Sequence, residues 1–371
     1  MGLSVAAARA IAGQFALEGE IVSVAALAGG HINDSFRVDV EAGGGGRAYL
    51  LQALNRRVFP HPDLVMDNVT RVTRHLASRL EAAGVADRER RALRLVPTRR
   101  GVNDWYKEPD GRCWRAFPFI TGAVTLDRAR TPEDGCKAGR AFGDFQRQLA
   151  AYDGPALHKT LPGFHDAAAR FARLERAARA DSCRRAAAAA AEIEAVMAQR
   201  SLADVLPPLI ESGEVPRRIV HNDAKIANVL LDERTGEPLC VVDLDTVMPG
   251  SALWDFGDLV RSTVSDAAED EEDPARVEVR VPVFAALVRG YLEAAGTLLV
   301  PRERALLGFA GRLITLEQAV RFLTDHLEGD HYYRIARPGH NLVRCRAQLA
   351  LFRGLSAHAA QLDAIVAEQG D

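Results

Sequence analysis

The sequence predicts an α+β protein: a small twisted sheet with one packed helix in the N-terminal third, then a larger, mainly helical part. Three features predict it. Short apolar, β-type runs punctuated by glycine are concentrated before residue 121. One strong helical period interrupts them, with Val65, Val69, Val72, Leu76 and Leu80 on a single face. Beyond Thr121 and Gly122 the patterning becomes helical, so two domains are expected, 1–120 and 121–371. A chain of 371 residues is in any case long for one hydrophobic core.

Taken in order, 21–27 is an apolar run leading to Gly29 and Gly30, and 35–40 is rich in β-type residues. The glycines at 43–46 read as a flexible hairpin turn into the apolar run 49–54. A helix is expected over 63–83, stopped by Gly84. Further strands fit 93–98 and 114–120. In the second part Thr131, Pro132 and Asp134 form a helix start, with proline in the first turn and an acid three residues past the cap. Ala138, Phe142, Phe145 and Leu149 then line one face. The alanine-rich stretch 184–195 predicts a helix by propensity. The acidic run 266–273 reads as a solvated loop, because like charges repel and stay hydrated. Helices are expected again over 301–327 and 341–368.

Composition bounds the function. Basic and acidic residues nearly balance, 47 against 50, so no strongly basic face for nucleic acid is expected. No apolar run reaches the roughly 20 residues of a membrane helix. Residues 1–20 lack the basic start and apolar block of a secretion signal, and Ala6 stands where an acylated N-terminus would want Ser or Thr. The five cysteines are scattered, with no C-x-x-C pair, which suggests reduced thiols. A soluble, cytoplasmic enzyme is the expectation.

The chemistry concentrates between Arg218 and Arg261. His221, Asp223, Lys225 and Asn228 precede one short apolar run, and a second run ends at Asp243 and Asp245. Phosphoryl transfer needs such a set: a carboxylate for a hydroxyl proton, a cation for the moving phosphate, and an amide plus a second carboxylate for Mg²⁺. The spacing H-x-D-x-K-x-x-N arises by chance in a chain of this composition with a probability on the order of 10⁻⁴. His221 is either a scaffold residue bracing the turn or part of the chemistry. Asp245 is either a second metal ligand or a backbone partner. Lysine is confined to Lys107, Lys137, Lys159 and Lys225, so a lysine inside the motif stands out from the arginine-rich background. Asp255 and Asp258 fit as caps or braces for a following helix.

The segment from His221 to Asn228, followed by Asp243, resembles the aminoglycoside phosphotransferase and choline kinase superfamily, which shares a two-lobed protein-kinase-like fold. Longer strings are similar to its N-acetylhexosamine 1-kinase branch: Gly29-Gly30-His31-Ile32-Asn33-Asp34, Leu51-Gln52-Ala53-Leu54-Asn55, Val242-Asp243-Leu244-Asp245, and Arg321-Phe322-Leu323-Thr324-Asp325 with Tyr332. The resemblance implies that Asp223 is the catalytic base and that Lys225 lies beside the transferred phosphate or the acceptor. It implies Asn228 and Asp243 as magnesium ligands, and Arg321 and Tyr332, with Asp223 and Lys225, as substrate-binding residues. Gly29, Gly30, His31 and Asn33 match the loop over the phosphates of ATP. Glycines there let backbone N–H groups approach phosphate oxygens, although a bare Gly-Gly is also a common turn. Adenine is expected beside Ala116, Phe117 and Phe119, where the lobes join.

One departure stands out. Related kinases place a lysine on the third strand to grip the phosphates, and here Gln52 occupies that place, with Asp67 where a helix acid would lie. Glutamine donates hydrogen bonds but carries no charge. Either Mg²⁺ and the glycine loop carry phosphate binding, as the similarity of the branch suggests, or activity is lost. The functional expectation is a Mg²⁺–ATP kinase acting on a sugar hydroxyl, most simply the anomeric one of an N-acetylhexosamine. The alternatives are phosphotransfer to an aminoglycoside, amino alcohol or other small hydroxylated metabolite, and a nucleotide-binding regulator without catalysis.

Overall fold

The computed structural model describes residues 3–27, 32–43 and 45–370. Its contacts divide the chain into two compact units: Met1–Val124 with Tyr152–Leu161 and Leu230–Met248, and Thr125–Ala151 with Pro162–Val229 and Pro249–Asp371.

The first unit opens with α1 (Val5–Ala12), β1 (Glu20–Ala26), β2 (Asp34–Ala42) and β3 (Gly45–Ala53), continues through α2 (Pro62–Ala82), β4 (Tyr106–Lys107) and β5 (Cys113–Pro118), and reaches β6 (Ala123–Val124). Five strands form an antiparallel sheet in the order β1-β2-β3-β5-β4. The β2–β3 register sets Phe36 opposite Leu51 and Val38 opposite Tyr49. These four are all buried, so the hairpin is fixed by its inward face; a one-residue slip would turn it outward. The expected strand over 93–98 does not form. Thr98 makes an isolated bridge with Phe15, and the Val96 amide donates to Ala116. Pro97, lacking an N–H, cannot continue a ladder.

Helix α2 starts with Pro62, where a missing N–H costs nothing, and buries Val65, Val69, Val72, Leu76 and Leu80. Each such side chain contributes roughly 1.5–3 kcal/mol. Its Asn68 ties in the two later segments of this unit: the side-chain amide donates to His158 and Val247 carbonyls at 2.9 and 3.0 Å and accepts from the His158 amide at 2.8 Å.

The chain then gives α3 (Pro132–Leu149), α4 (Ala167–Ala180), α5 (Ala190–Met197), α6 (Leu206–Glu211) and β7 (Arg218–Val220). Strands β8 (Val229–Asp232) and β9 (Pro238–Val241) form a hairpin beside β6. After β10 (Met248–Gly250) come α7 (Ala252–Thr263), α8 (Val281–Ala295), α9 (Pro301–Ala305), α10 (Leu307–Glu328), α11 (His340–Ala357) and α12 (Ala359–Gly370). Helix α3 has the expected capping box: Thr131 Oγ1 accepts from the Asp134 amide at 3.2 Å, and Asp134 Oδ2 accepts from the Thr131 amide at 2.9 Å. Its Gly139 and Gly143 lie so close to α8 that a Cβ on either would stand 2.8 Å from the Tyr291 backbone. This close approach sets the position of Phe142 and Phe145, which pack against His221 just after β7, and of Gln146, which donates to Asp255.

Helix formation in the alanine-rich stretch begins later than expected. Arg184 sits at φ +55, and Asp181 Oδ1 accepts from the Arg185 and Ala186 amides at 2.7 and 2.9 Å, so α5 starts only at Ala190. The expected helix over 301–327 is α9 and α10, separated at Leu306, and that over 341–368 is α11 and α12, separated at His358. Among the described residues no helix is long and apolar enough to cross a membrane, and all five cysteines are free thiols.

Candidate active site

Each unit carries its own polar cluster. In the second unit β7 runs into a loop that holds Asp223, Lys225 and Asn228 together. Lys225 Nζ stands 3.0 Å from Asp223 Oδ2, and Asn228 Nδ2 donates to the Asp223 carbonyl at 2.8 Å and to Oδ2 at 3.3 Å. Asp223 Oδ1 makes no hydrogen bond or ion pair among the described residues, and the side chain is 27% exposed, so this oxygen is available to a ligand. Burial opposes ionisation of Asp223, but Lys225, His221 and Arg261 outweigh it and hold the carboxyl well below its usual range.

The loop is braced from behind. Asp255 on α7 is fully buried and accepts from the amides of His221 and Asn222 at 2.8 and 2.7 Å and from Gln146 at 2.8 Å. Its role is to brace this loop rather than its own helix. Those donors hold Asn222 in a left-handed conformation at φ +65, a strain that persists only where the surroundings impose it. His221 is buried with its ring edge-on to Phe142 and Phe145, and its Nδ1 accepts from the Asp223 amide at 3.3 Å. These contacts suit a scaffold residue.

A residue that sequence reasoning missed completes the brace. His165 reaches the Asn222 carbonyl through Nε2 and Glu317 Oε1 through Nδ1, both at 3.0 Å. Burial disfavours its charge, but Glu317 and the Asn222 carbonyl prevail and raise its pKa; Glu317 is correspondingly lowered against the same burial. Nothing near His165 in sequence marks it. The only signal was Glu317, a carboxylate amid the apolar stretch of α10.

One turn along α10, Arg321 lines a small cavity with Arg170, Arg173, Thr324, Tyr332 and Tyr333. Its guanidinium lies over the rings of Phe164, Tyr333 and Tyr332 at 5.0, 5.6 and 5.8 Å. The predicted residues Arg321 and Tyr332 are thus brought together. The carboxylates around the cavity are engaged. Asp325 accepts from the amides of His331, Tyr332 and Tyr333 and from Asn341, and Glu328 forms a two-pronged pair with Arg173. The acidic run is likewise pinned rather than merely solvated: Glu269 pairs with Arg261, and Asp270 with His340 and Arg337.

In the first unit Asn33 and Gln52 belong to one network. Asn33 Nδ2 donates to Asp245 Oδ2 at 2.6 Å, and Gln52 Oε1 accepts from Arg115 Nε and Nη2 at 3.1 and 2.9 Å. Arg115 also pairs with Asp245 Oδ1. Asp245 is therefore bound to side chains rather than to backbone among the described residues. Asp67, at the helix-acid position, pairs instead with His158 and Arg71 at 2.8 and 2.6 Å. Asp243 has a left-handed backbone at φ +62 and lies two residues past the end of β9. Gly29, Gly30 and His31 lie outside the described residues. Phe117 is buried beneath the Arg115 guanidinium at 5.2 Å, and the half-buried Phe119 lies beneath Arg37 at 4.9 Å. The Phe119 amide donates to Ala48 and the Ala116 carbonyl accepts from Val96, so both groups are engaged within the sheet region.

A model of the phosphotransferase enzyme family matches residues 23–304, and the chain belongs to that family. Among solved structures it is similar to an aminoglycoside phosphotransferase from Alicyclobacillus acidocaldarius, with TM-score 0.60 and 14% identity over 97% of this chain and 96% of that one. A microcompartment-associated aminopropanol kinase gives TM-score 0.57 and 16% identity over 97% and 99%. A spectinomycin phosphotransferase in complex with ADP and spectinomycin gives 0.55 and 13% over 91% and 94%. The fold is the protein-kinase-like α+β fold, with a β-sheet N-terminal lobe and a mainly helical C-terminal lobe.

Proposed function

We propose that this member of the phosphotransferase enzyme family moves the γ-phosphate of ATP onto a hydroxyl of a small, uncharged acceptor, in its sharpest form the anomeric hydroxyl of an N-acetylhexosamine. The observation that carries the transfer is the Asp223 carboxylate, with Oδ2 held by Lys225 and Asn228 and Oδ1 open. A carboxylate kept so firmly ionised is a weak base. Its work is to accept a hydrogen bond from the acceptor hydroxyl, aim that oxygen in line, and take the proton late. Lys225 supplies positive charge beside the moving phosphoryl group. Asp243 carries a carboxylate and Asn228 an amide oxygen, each the kind of hard oxygen donor that Mg²⁺ takes alongside phosphate oxygens and waters. Mg²⁺ held by such donors would spread the charge of the phosphates.

The acceptor reading rests on the Arg321 cavity. Its guanidinium and phenol donors suit hydroxyl and acyl oxygens, and its own carboxylates, Asp325 and Glu328, are already engaged, so an ammonium group inside the cavity would face Arg321 and Arg170. A second reading, an amino alcohol or aminoglycoside acceptor, is favoured by the acceptors named for the similar structures. The test is ATP consumption against a panel of hexosamines, amino alcohols and aminoglycosides, with products identified by phosphorus NMR. Turnover of hexosamines, weakened at least tenfold in Arg321→Leu, is the expected result. Preference for the cationic acceptors would replace the first reading with the second. Nucleotide binding without transfer to any acceptor would overturn both.

A further inference from the structure

The missing strand lysine leaves open which cation grips the nucleotide phosphates. The β3–β5 register sets Gln52 directly opposite Arg115, so the two side chains share one face of the sheet. Arg115 is 2% exposed and Gln52 half-buried. The guanidinium presents its Nε–Nη2 edge to Gln52 Oε1 at 3.1 and 2.9 Å, while Nη1 pairs with Asp245. Gln52 Nε2 is anchored in turn on Ser35 Oγ at 3.0 Å. That edge is the one an arginine uses for two-pronged recognition of phosphate, and a single amide oxygen occupies it here. The acid that would partner a strand lysine from α2, Asp67, is engaged by His158 and Arg71. A charge pair is nevertheless present, between Arg115 on β5 and Asp245, two residues past the candidate magnesium ligand Asp243.

We propose that Arg115 is the phosphate-gripping cation of the nucleotide site, supplied from β5 in place of the strand lysine, with Asp245 as its acid partner and Gln52 as the acceptor that a phosphate oxygen displaces. The ligand class is a nucleoside di- or triphosphate, and the inference rests on the reading that such a nucleotide is the phosphoryl donor. A neutral glutamine at position 52 is then a requirement, since a lysine there would face the Arg115 guanidinium at contact distance.

The test is calorimetric binding of Mg-ATP, Mg-ADP and adenosine to the parent and to Arg115→Gln and Arg115→Lys, none of which needs turnover. In Arg115→Gln the affinity for both nucleotides is expected to fall at least tenfold while that for adenosine stays within twofold, and Arg115→Lys recovers part of the loss. Unchanged nucleotide affinity in Arg115→Gln overturns the proposal. If Arg115→Gln does not fold, a crystal structure of the parent with Mg-ADP decides. A phosphate oxygen within about 3.2 Å of the Arg115 guanidinium supports it, and a guanidinium still closed on Gln52 with no phosphate contact overturns it. A parent that binds no nucleotide at all would instead sink the proposed function.

Discussion

The loop that carries Asp223, Lys225 and Asn228 and the Gln52–Arg115–Asp245 network are built on opposite plans. Asp223, Lys225 and Asn228 come from one short stretch of chain, and the surrounding helices serve to hold that stretch still through Asp255, Gln146 and His165. In the network each member comes from a different segment, and Asn33, Gln52, Arg115 and Asp245 meet only because the sheet and the following turn bring them together. A contiguous motif borrows rigidity from the fold; a dispersed network owes its existence to it. Damage to the first should therefore appear in turnover at nearly unchanged stability, and damage to the second in stability as well as in nucleotide affinity.

The largest expected effect tests the first half of that contrast. Asp223→Asn keeps the size of the side chain and removes the charge, and turnover should fall by about 10²–10⁴-fold with nucleotide binding and urea midpoint nearly unchanged. Turnover near the parent level would reject the role. Asp245→Ala tests the other half. It strands the buried Arg115 guanidinium without its carboxylate, and breaking such a pair costs about 3–5 kcal/mol, read as a lower midpoint in urea unfolding followed by circular dichroism. A variant as stable as the parent would show that the network is not a structural unit.

The same contrast explains what could be read in advance. The α2 period, the Thr131 capping box and the spacing of Asp223, Lys225 and Asn228 are local patterns, and each was legible. Asp255 was recognisable as a bracing residue, but its target was not, because the His221 and Asn222 amides lie on another segment. His165 and Arg115 could not be assigned, since a histidine or arginine gains meaning only from what a distant segment sets beside it. The strand expected over 93–98 failed for a local reason that was present in the sequence, Pro97. The alanine-rich helix began late because a side-chain carboxylate, Asp181, captured the amides that would have opened it earlier.

Smaller effects should come from the supports of the loop. In Gly139→Ala a methyl group would stand 2.8 Å from the Tyr291 amide, forcing α3 away from α8. Overpacking of this kind costs typically about 1–3 kcal/mol. Because α3 also carries Phe142, Phe145 and Gln146, turnover should fall along with the melting temperature, which distinguishes a support of the site from a remote packing position. A stability loss with turnover per folded molecule unchanged would place α3 outside the bracing of the loop.

The smallest effect is a pH dependence. His165 has a raised pKa in the folded state, so its contribution is fully present below its unfolded value near 6.5 and is lost as the pH rises through the folded value. Glu317 is lowered, so its contribution is present above the unfolded value near 4.5 and is lost as the pH falls through the folded one. The pair therefore stabilises most between pH 4.5 and 6.5. The difference in melting temperature between the parent and His165→Gln should be widest in that window and narrow on the alkaline side, where the imidazolium gives up its proton and its attraction to Glu317 goes with it. A difference that stays flat from acid to alkaline pH would mean that His165 holds the Asn222 carbonyl as a neutral ring, and that the loop is braced by hydrogen bonds alone.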